Sequence, residues 1–281
     1  MGHLELPEVS SAAARRWIGR LARRSRGRCR VQVADGRVLT TNPDGRPLYL
    51  DGRDTSVTPS VLARGGYEPG STRLLCRLTR TGARVLEIGA NVGWHTLLMA
   101  ERIGPAGRLV AFEPNPEAFD LLHLNVFVNG YWDRCRLEPV ALSDHIGMAS
   151  LHVAGSFLGS GRLRPFSPSD LAWQHQDERH FDVEVTTLDQ AVADDPRFDL
   201  VKIDVEGAEP RVFAGAADLL AANPHLKLVM EFTPNQHGPE MLDWLRAAGF
   251  TLWSISRAGF TRPAVDRELL AEVSVDILAT R

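Results

Sequence analysis

The feature that constrains this chain most is the alternation of strand-like and helix-like segments that begins at Ser71. Short apolar runs are each followed by a longer amphipathic segment. This pattern favours an α/β fold with a doubly wound, mostly parallel sheet and helices on both faces. Ligands of such sheets bind at the carboxyl ends of the strands. The seven predicted strands span residues 84–88, 108–112, 136–140, 200–204, 227–232, 251–256 and 273–279.

The chain before residue 71 has a different character, and we place a domain boundary there. Residues 1–70 are expected to form a small N-terminal extension, and residues 71–281 the doubly wound domain. Three Asp-Gly pairs in the extension indicate turns between short antiparallel strands. Those strands are expected near residues 31–33, 38–40 and 48–50, with a short helix at 59–64. The helices predicted in the main domain span residues 72–79, 94–103, 116–129, 210–222 and 239–248.

A basic segment opens the chain. Residues 1–36 hold eight arginines and three acids, which gives a charge of +5, so the remainder carries −8 because the whole chain carries −3. Ala14, Trp17, Ile18 and Leu21 share one face of a predicted helix. We expect this helix to pack on the main domain or on a second subunit of a homodimer. A membrane-surface helix and a transit peptide are the alternatives.

Composition argues against several classes of protein. With 44% hydrophobic and 24% charged residues the chain is typical of globular proteins. It lacks a run of about 18 apolar residues, so we predict no membrane span. Cys29, Cys76 and Cys135 stand too far apart for a zinc site or a disulfide framework, and we therefore expect a reducing, cytoplasmic compartment. The acidic main domain argues against a nucleic-acid partner.

A glycine turn follows the first predicted strand of the main domain. Gly89 and Gly93 bound this turn, and Glu113 ends the next strand twenty residues later. The order is typical of a site for a ribose-containing cofactor, in which the distant acid binds both ribose hydroxyls. Glu87 would repel a pyrophosphate but suits a cationic amino group, and the turn lacks the third glycine of dinucleotide sites. We therefore expect S-adenosylmethionine rather than NAD.

The segment after the third predicted strand offers two further features. That strand end borders the adenine in this architecture, so Asp144, which follows Ser143, could accept a hydrogen bond from the exocyclic amine. A capping role in the loop is the alternative for Asp144. Residues 155–181 then form a long segment rich in glycine, proline and aromatic residues. We expect a substrate loop there, because long segments between strands are often lids; a surface insertion is the alternative.

Six motifs lie in a recognisable order, at residues 66–69, 87–96, 112–115, 124–129, 185–189 and 201–209. Together they resemble the FkbM family of S-adenosylmethionine-dependent methyltransferases, over about residues 50–260. The resemblance implies a Rossmann-like class I methyltransferase fold and typically O-methylation of sugars, glycolipids or polyketide-type natural products, and it leaves the acceptor open. With the residues above, it gives as cofactor-binding positions Tyr67, Glu87, Gly89, Ala90, Asn91, Gly93, Thr96, Glu113, Pro114, Asn115, Ser143, Asp144 and Asp204.

Two charged residues alternate along the fourth predicted strand. Lys202 and Asp204 share one side of it, and a central parallel strand is normally buried on both faces. Buried charges need partners or a task, so the two could form an ion pair with each other or stand beside the reacting methyl group. Lys202 is one of only two lysines against thirty arginines, which hints that a compact ammonium is required.

Several groups could handle the acceptor proton. Asp204, Glu206, Glu231 and His237 are candidates for base or acceptor positioning, and with Lys202 they form the predicted catalytic set. His237 titrates in the useful range, although a surface-loop histidine is the alternative. The three carboxylates could also hold a divalent cation, but no spacing demands a metal.

The sequence therefore predicts an S-adenosylmethionine-dependent O-methyltransferase that acts on a hydroxyl of a small molecule. The acceptor would be a sugar, a glycoside or a polyketide-type natural product. An NAD-dependent oxidoreductase and a non-catalytic S-adenosylmethionine-binding module are the alternatives. A nucleic-acid methyltransferase is disfavoured by the acidic main domain and by the absence of an Asn/Asp-Pro-Pro-Tyr type motif.

Overall fold

The computed structural model describes residues 31–167 and 177–281. The predicted basic helix and residues 168–176 of the predicted substrate loop lie outside the described residues. The described strands are β1 (Val31–Gln32), β2 (Arg37–Thr41), β3 (Pro47–Asp51), β4 (Arg84–Ile88), β5 (Arg108–Phe112), β6 (Cys135–Glu138), β7 (Ala141–Leu142), β8 (Gly147–Ala154), β9 (Glu178–Thr186), β10 (Leu200–Ile203), β11 (Lys227–Phe232), β12 (Thr251–Ile255), β13 (Thr261–Pro263) and β14 (Val275–Thr280).

The described helices cover both faces of the largest sheet, and none is long and apolar enough to cross a membrane. They are α1 (Val57–Arg64), α2 (Pro69–Leu78), α3 (Trp94–Ile103), α4 (Pro116–Asn129), α5 (Leu188–Ala191), α6 (Glu209–Ala214), α7 (Ala217–Ala222), α8 (Pro234–Ala247) and α9 (Asp266–Leu269).

The largest sheet has the order β13-β12-β14-β11-β10-β4-β5-β6. Strands β4, β5, β6, β10 and β11 run parallel, whereas β14 is antiparallel to both β11 and β12. The chain winds outward from β4 to β6 and then returns to β10 on the other side of β4. This topology confirms the predicted Rossmann-like, doubly wound fold. The crevice between β4 and β10 is the point at which such sheets bind ligands.

Side-chain alternation explains why helices cover both faces of the sheet. In β4, Val85 belongs to the apolar core that contains α3, whereas Leu86 belongs to the core that contains α6 and α7. Both residues are fully buried. A strand with apolar residues on both faces can lie only in the middle of a sandwich of helices. The sequence of β4 therefore places it at the centre, which brings the turn after it into the crevice.

The sheet has eight strands where the sequence predicted seven. The additional strand, β13, pairs with β12 at the edge of the sheet. It has only three residues, all of them exposed, and it ends in Pro263. Such a strand leaves almost no periodic signal, and proline is tolerated there because an edge strand needs no complete ladder. The other seven strands match the prediction to within two residues at each end.

One predicted helix is divided in two. The single helix expected over 210–222 is observed as α6 and α7, with a break at Gly215 and Ala216. A Cβ atom on Gly215 would lie 2.3 Å from the carbonyl oxygen of Ser143, so the loop after β7 passes against the chain there. This long-range contact lies at the break, which the helical periodicity of residues 210–222 did not indicate. Helix α8 also begins earlier than predicted, with the non-helical residue Gly238 inside it.

Two small sheets accompany the large one. Strands β1 to β3 form the antiparallel meander expected in the extension, and the side chain of Asn125 in α4 ties it down. Asn125 accepts a hydrogen bond from the backbone N–H of Tyr49 and donates to the carbonyl oxygens of Tyr49 and Val92. The sheet with the order β7-β9-β8 was not predicted. Residues 178–181, which were expected to belong to the substrate loop, are part of β9 in this sheet.

Candidate active site

A cavity of about 200 Å³ lies at the carboxyl ends of β4, β5, β10 and β11. It occupies the switch point of the sheet, where ligands of doubly wound folds bind. Ten of the residues singled out in the sequence line it. They are Tyr67, Gly89, Ala90, Asn91, Glu113, Pro114, Lys202, Asp204, Glu206 and Glu231.

The turn after β4 needs glycine at its first position. Gly89 has φ +81°, a region that side chains strain to adopt. A Cβ atom there would lie 1.8 Å from the carbonyl oxygen of Asp204, so the end of β10 passes directly over the turn. Gly93 closes the turn at the start of α3 and faces Leu122 rather than the cavity. The two glycines therefore shape the turn from opposite sides.

The carboxylate of Glu113 is fixed at the end of β5. Its Oε2 accepts a hydrogen bond from the backbone N–H of Asn91 at 2.7 Å, and its Oε1 accepts from that of Asn115 at 2.9 Å. Burial raises the pKa of Glu113 to about 7, against the lowering effect of these two bonds. Each oxygen keeps a lone pair for a further donor. A rigid acceptor pair at the cavity wall is suited to two neighbouring hydroxyls.

Glu87 lies beneath the turn instead of lining the cavity. It is fully buried, and its Oε2 accepts a hydrogen bond from the hydroxyl of Thr96 at 2.6 Å. Its Oε1 has no partner among the described residues, and burial raises the pKa of Glu87 to about 7. A buried acceptor without a partner is costly, so this oxygen fits a site that a donor completes.

Lys202 joins the two strands that border the crevice. Its Nζ lies 3.1 Å from Oδ2 of Asp204 and donates to the carbonyl oxygen of Gly89 at 3.3 Å. Burial alone would lower the pKa of Lys202, but the carboxylates of Asp204, Glu68 and Glu87 outweigh it and raise that pKa above its ordinary value. The ion pair that the sequence left as an alternative is therefore present, and both of its members line the cavity.

Three carboxylates converge beside the glycine turn. One oxygen each of Asp204, Glu206 and Glu231 lies within 4.8 Å of the others, a spacing that a metal ion could bridge. Burial and the nearby Asp204 raise the pKa of Glu231 to about 7, although the Ser274 hydroxyl donates to its carboxylate. Burial also raises the pKa of Glu206 well above its ordinary value. Glu231 is therefore poised to accept a proton near neutral pH, and Glu206 holds its proton more tightly than an ordinary glutamate.

The first part of the predicted substrate loop closes the cavity from the other side. Phe157, Leu158 and Gly159 line it. The side chain of Asn115 donates to the carbonyl oxygen of Leu158 at 3.0 Å, and a Cβ on Gly159 would lie 2.9 Å from the amide nitrogen of Asn91. This segment therefore rests directly on the glycine turn.

A family comparison agrees with this geometry. The sequence model of the methyltransferase FkbM domain matches residues 87–252, which include the glycine turn, Glu113 and all three converging carboxylates. The chain belongs to the FkbM methyltransferase family. The matched region has the Rossmann-like class I methyltransferase fold described above.

Relatives of this FkbM-family chain are distant. It is 28% identical over 154 residues to methyltransferase sdnD of Sordaria araneosa, an alignment covering 47% of this chain and 59% of that protein. It is 32% identical over 174 residues to 2-O-methyltransferase NoeI of Sinorhizobium fredii, covering 57% and 70%. A crystal structure of a SAM-dependent O-methyltransferase from Thermotoga maritima aligns with a TM-score of 0.45 at 15% identity, covering 90% of this chain and 85% of that one.

One predicted catalytic residue of this FkbM-family chain lies away from the cavity. His237 is buried in α8, where its Nε2 lies 2.6 Å from Oε2 of Glu209 and its Nδ1 accepts from the backbone N–H of Thr233. Glu209 also accepts from the backbone N–H of Val205. Both ring nitrogens are thus engaged in holding the start of α8 against α6, which leaves a role as base without geometric support.

Four predicted cofactor residues, besides Glu87 and Gly93, also lie outside the cavity lining. Thr96 and Asn115 act through Glu87 and Glu113, as described above. The side chain of Asp144 is exposed and bonds to Ser143 and His145. The wall at this point is formed by the preceding apolar residues, Ala141 and Leu142. A contact of Asp144 with adenine stays a prediction.

Sequence reasoning missed two acids beside this FkbM-family site. Glu68 and Asp276 interact electrostatically with both Lys202 and Asp204. Burial and Asp204 raise the pKa of Glu68 to about 8, and Glu68 has a positive φ of 40°. Glu68 belongs to the motif at 66–69, a signal that could have revealed it. Asp276 lies on an antiparallel strand far along the chain, and no local signal marks it.

Proposed function

We propose that this methyltransferase transfers a methyl group from S-adenosylmethionine to a hydroxyl oxygen of a small molecule. A sugar, a glycoside and a polyketide-type natural product are the proposed acceptor classes. One observation carries the proposal: a single cavity brings the Glu113 carboxylate to one side and the carboxylates of Asp204, Glu206 and Glu231 to the other. The first side suits a ribose, and the second suits a hydroxyl that must lose a proton.

The residues present fit the cofactor. Glu113 has two fixed oxygens for the ribose hydroxyls, and Gly89 leaves the turn free of a side chain. Beneath the turn, Oε1 of Glu87 has no partner among the described residues, and ionisation of this buried carboxyl group would place negative charge below a cationic amino group. Ala141 and Leu142 offer an apolar wall for a flat base. When bound, S-adenosylmethionine supplies a methyl group that is already activated by the sulfonium.

The chain's own residues must then orient the acceptor and take its proton. In this proposal Glu231 is the proton acceptor, because its pKa of about 7 allows the ionised form at neutral pH. The reacting hydroxyl has only one proton, so Asp204 accepts a hydrogen bond from a second donor of the acceptor molecule, and Lys202 holds Asp204 in place. Phe157 and Leu158 cover the site and limit the access of water.

The activity named for one relative supports transfer to oxygen. NoeI is a 2-O-methyltransferase, and its alignment spans 70% of its own length. The carboxylates of the cavity support the same chemistry, since an alcohol needs a base as its oxygen is methylated. A divalent cation on the three carboxylates could lower the pKa of the acceptor in place of a protein base.

The proposal is tested first by thermal shift of the purified chain with S-adenosylhomocysteine, S-adenosylmethionine and NAD, each with Mg²⁺ or EDTA. Binding to the folded state raises stability by about 2.7 kcal/mol at a hundredfold excess over Kd. A shift with S-adenosylhomocysteine is expected. A screen with isotopically labelled S-adenosylmethionine then follows, with sugars, glycosides and polyketides as acceptors.

The outcomes separate the alternatives. A shift with NAD alone would favour an oxidoreductase and would overturn the proposal. A shift with S-adenosylhomocysteine but label only on nitrogen or carbon atoms of the products would overturn transfer to oxygen. Label on an oxygen atom, lost in Glu231→Gln but kept in Glu184→Gln at an exposed position of β9, is the result that we expect.

A further inference from the structure

A second, wider space adjoins the cavity. This groove has a volume of about 960 Å³ and lies between the end of α1, the start of α2 and the turn after β12. Tyr67 and Trp94 line both spaces, so the groove begins where the cavity ends. A cofactor in the cavity would leave the groove open beside it. The groove is therefore the natural place for the part of the acceptor that does not react.

The outer part of the groove is basic. Arg64, Arg73, Arg77 and Arg257 line it, and all four are exposed. Within the two described ranges, none of them has a carboxylate within 4.0 Å, whereas Arg46, Arg84 and several other arginines are paired with one. These four cations line one groove although the residues after 36 carry −8 in total. Such a cluster raises the local concentration of anions.

Local contacts hold three of these guanidinium groups at the groove wall. Arg64 donates to the hydroxyl of Ser60, and Arg73 donates to the backbone carbonyl of Arg257. Arg77 lies over the ring of Phe260, 5.2 Å from its centroid. These contacts leave most guanidinium donors free for another acceptor, since each group has five.

A fifth arginine of the groove behaves differently. Arg102 is paired with Asp44 at 2.8 Å, so its charge is already balanced. The anion site is thus confined to the rim formed by α1, α2 and the turn after β12.

The end of the groove next to the cavity is lined by acids instead of arginines. Glu68 and Asp276 line it there and interact electrostatically with Lys202 and Asp204. An acceptor that spans both spaces thus meets hydrogen-bond acceptors at the reacting end and arginines at the far end. An anionic group would be repelled from the first and attracted to the second, which fixes the orientation of the molecule.

From the unpaired arginines that line this groove, we infer that the acceptor carries an anionic group, a phosphate or a carboxylate, which binds at Arg64, Arg73, Arg77 and Arg257 while its hydroxyl enters the cavity. The inference rests on the proposed function, since it names the class of acceptor for the same site. It narrows the proposed sugars, glycosides and polyketides to their phosphorylated or acidic members.

The test uses the full chain saturated with S-adenosylhomocysteine and titrated calorimetrically with inorganic pyrophosphate and, separately, with succinate. The variant is Arg64→Gln/Arg257→Gln, which removes one cation from each wall. The matched control is Arg80→Gln/Arg267→Gln, since both residues are exposed, lie outside the groove and have no ion pair among the described residues. The affinity for S-adenosylhomocysteine is measured on every sample.

We expect saturable binding of at least one anion to the wild type and to the control. In the groove variant the affinity should fall by about five- to twentyfold, as expected for two lost charge-assisted contacts. The anion that binds more tightly identifies phosphate or carboxylate as the group that the site takes.

Two outcomes would overturn the inference: no saturable binding of either anion, or an equal loss of affinity in the groove variant and in the control. Unchanged binding of S-adenosylhomocysteine in those cases would leave the proposed function standing. Failure of the wild type to bind S-adenosylhomocysteine would instead remove the proposed function and, with it, the assignment of the bound anion to an acceptor.

Discussion

The ammonium of Lys202 lies 3.1 Å from the carboxylate of Asp204 at the carboxyl end of the central strand. The same ammonium donates to the backbone of Gly89, so one side chain links the end of β10 to the turn after β4. The side chain of Lys202 is only 7% exposed and that of Asp204 is 23% exposed. The pair therefore fixes the shape of the crevice and also sets its charge.

Removal of this ammonium should destabilise the protein. Lys202→Met leaves Asp204 beside Glu231 and Glu206 without a counter-ion, and we expect the free energy of unfolding to fall by about 1–3 kcal/mol. Lys227→Met is the matched control, because Lys227 is the only other lysine in the sequence. It lies at the start of β11, whereas the cavity lies at the carboxyl ends of the strands. Urea unfolding measures both. Equal stability of the two variants would show that the ion pair contributes nothing to the fold.

Glu113 should dominate the affinity for the cofactor. Glu113→Ala removes the acceptor of two hydroxyl donors, so affinity for S-adenosylhomocysteine should fall at least about 100-fold by calorimetry. Glu184→Ala, at an exposed position of β9, is the control and should bind as the wild type does. Circular dichroism of the ligand-free variants checks that they are folded. Wild-type affinity in folded Glu113→Ala would show that Glu113 is not the acid that binds the ribose hydroxyls.

The buried carboxyl group of Glu87 should make the stability of the ligand-free protein fall as the pH rises. Burial raises its pKa to about 7 from an ordinary value of 4.5. Between these values the folded state binds more protons than the unfolded state, so the contribution of Glu87 to stability falls as the pH rises. Glu87→Gln should therefore gain stability relative to the wild type at pH 8 compared with pH 5.

Urea unfolding of both proteins at the two pH values gives that difference directly. The same substitution should weaken binding of S-adenosylhomocysteine, since the free carboxylate oxygen is lost. A difference in stability that does not change with pH would mean that Glu87 keeps an ordinary pKa in the folded state.

The turn after β4 should not tolerate a side chain. Gly89→Ala combines a positive φ of 81° with a clash at 1.8 Å, and we expect either failure to fold or a loss of more than about 3 kcal/mol. Gly82→Ala has φ +80° with no atom within 4 Å, so it isolates the backbone strain, which costs about 1 kcal/mol. Thermal unfolding compares the two. Similar losses in both variants would contradict the close approach of Asp204 to the turn.

The sequence predicted most accurately the strands and helices whose ends are marked by local residue patterns. The bounds of β4, β5, α3 and α4 agree with the sequence prediction to the residue, because apolar periodicity and flanking breakers mark both ends of each. The small sheet of β7, β8 and β9 was missed, since its strands pair across a long intervening segment. A hairpin signal requires a short turn between strands.

The residues of the candidate site also divide into those that local motifs predicted and those that only the tertiary structure revealed. Motifs at strand ends predicted the roles of Gly89, Glu113 and Lys202. The parallel strand order then brings these strand ends together at one edge of the sheet. Asp276 reaches the site only because β14 runs antiparallel to β11. From the sequence, His237 was expected to face the crevice. In the structure its ring contacts Glu209 instead, because the packing of α8 against α6 sets the direction of the ring. Side-chain direction within a loop needs the tertiary structure.

The ammonium of Lys202 should also decide whether a metal binds. Asp204, Glu206 and Glu231 present oxygens within 4.8 Å of one another, but Lys202 already contacts Asp204 and repels a second cation. We therefore expect Mn²⁺ to leave the melting temperature of the wild-type complex with S-adenosylhomocysteine unchanged, and to raise that of Lys202→Met. The double variant Lys202→Met/Glu231→Gln should lose this rise, because it lacks one of the three ligands. A lower melting temperature of the wild-type complex in EDTA would contradict the prediction, since the three carboxylates would then hold a cation despite the neighbouring ammonium.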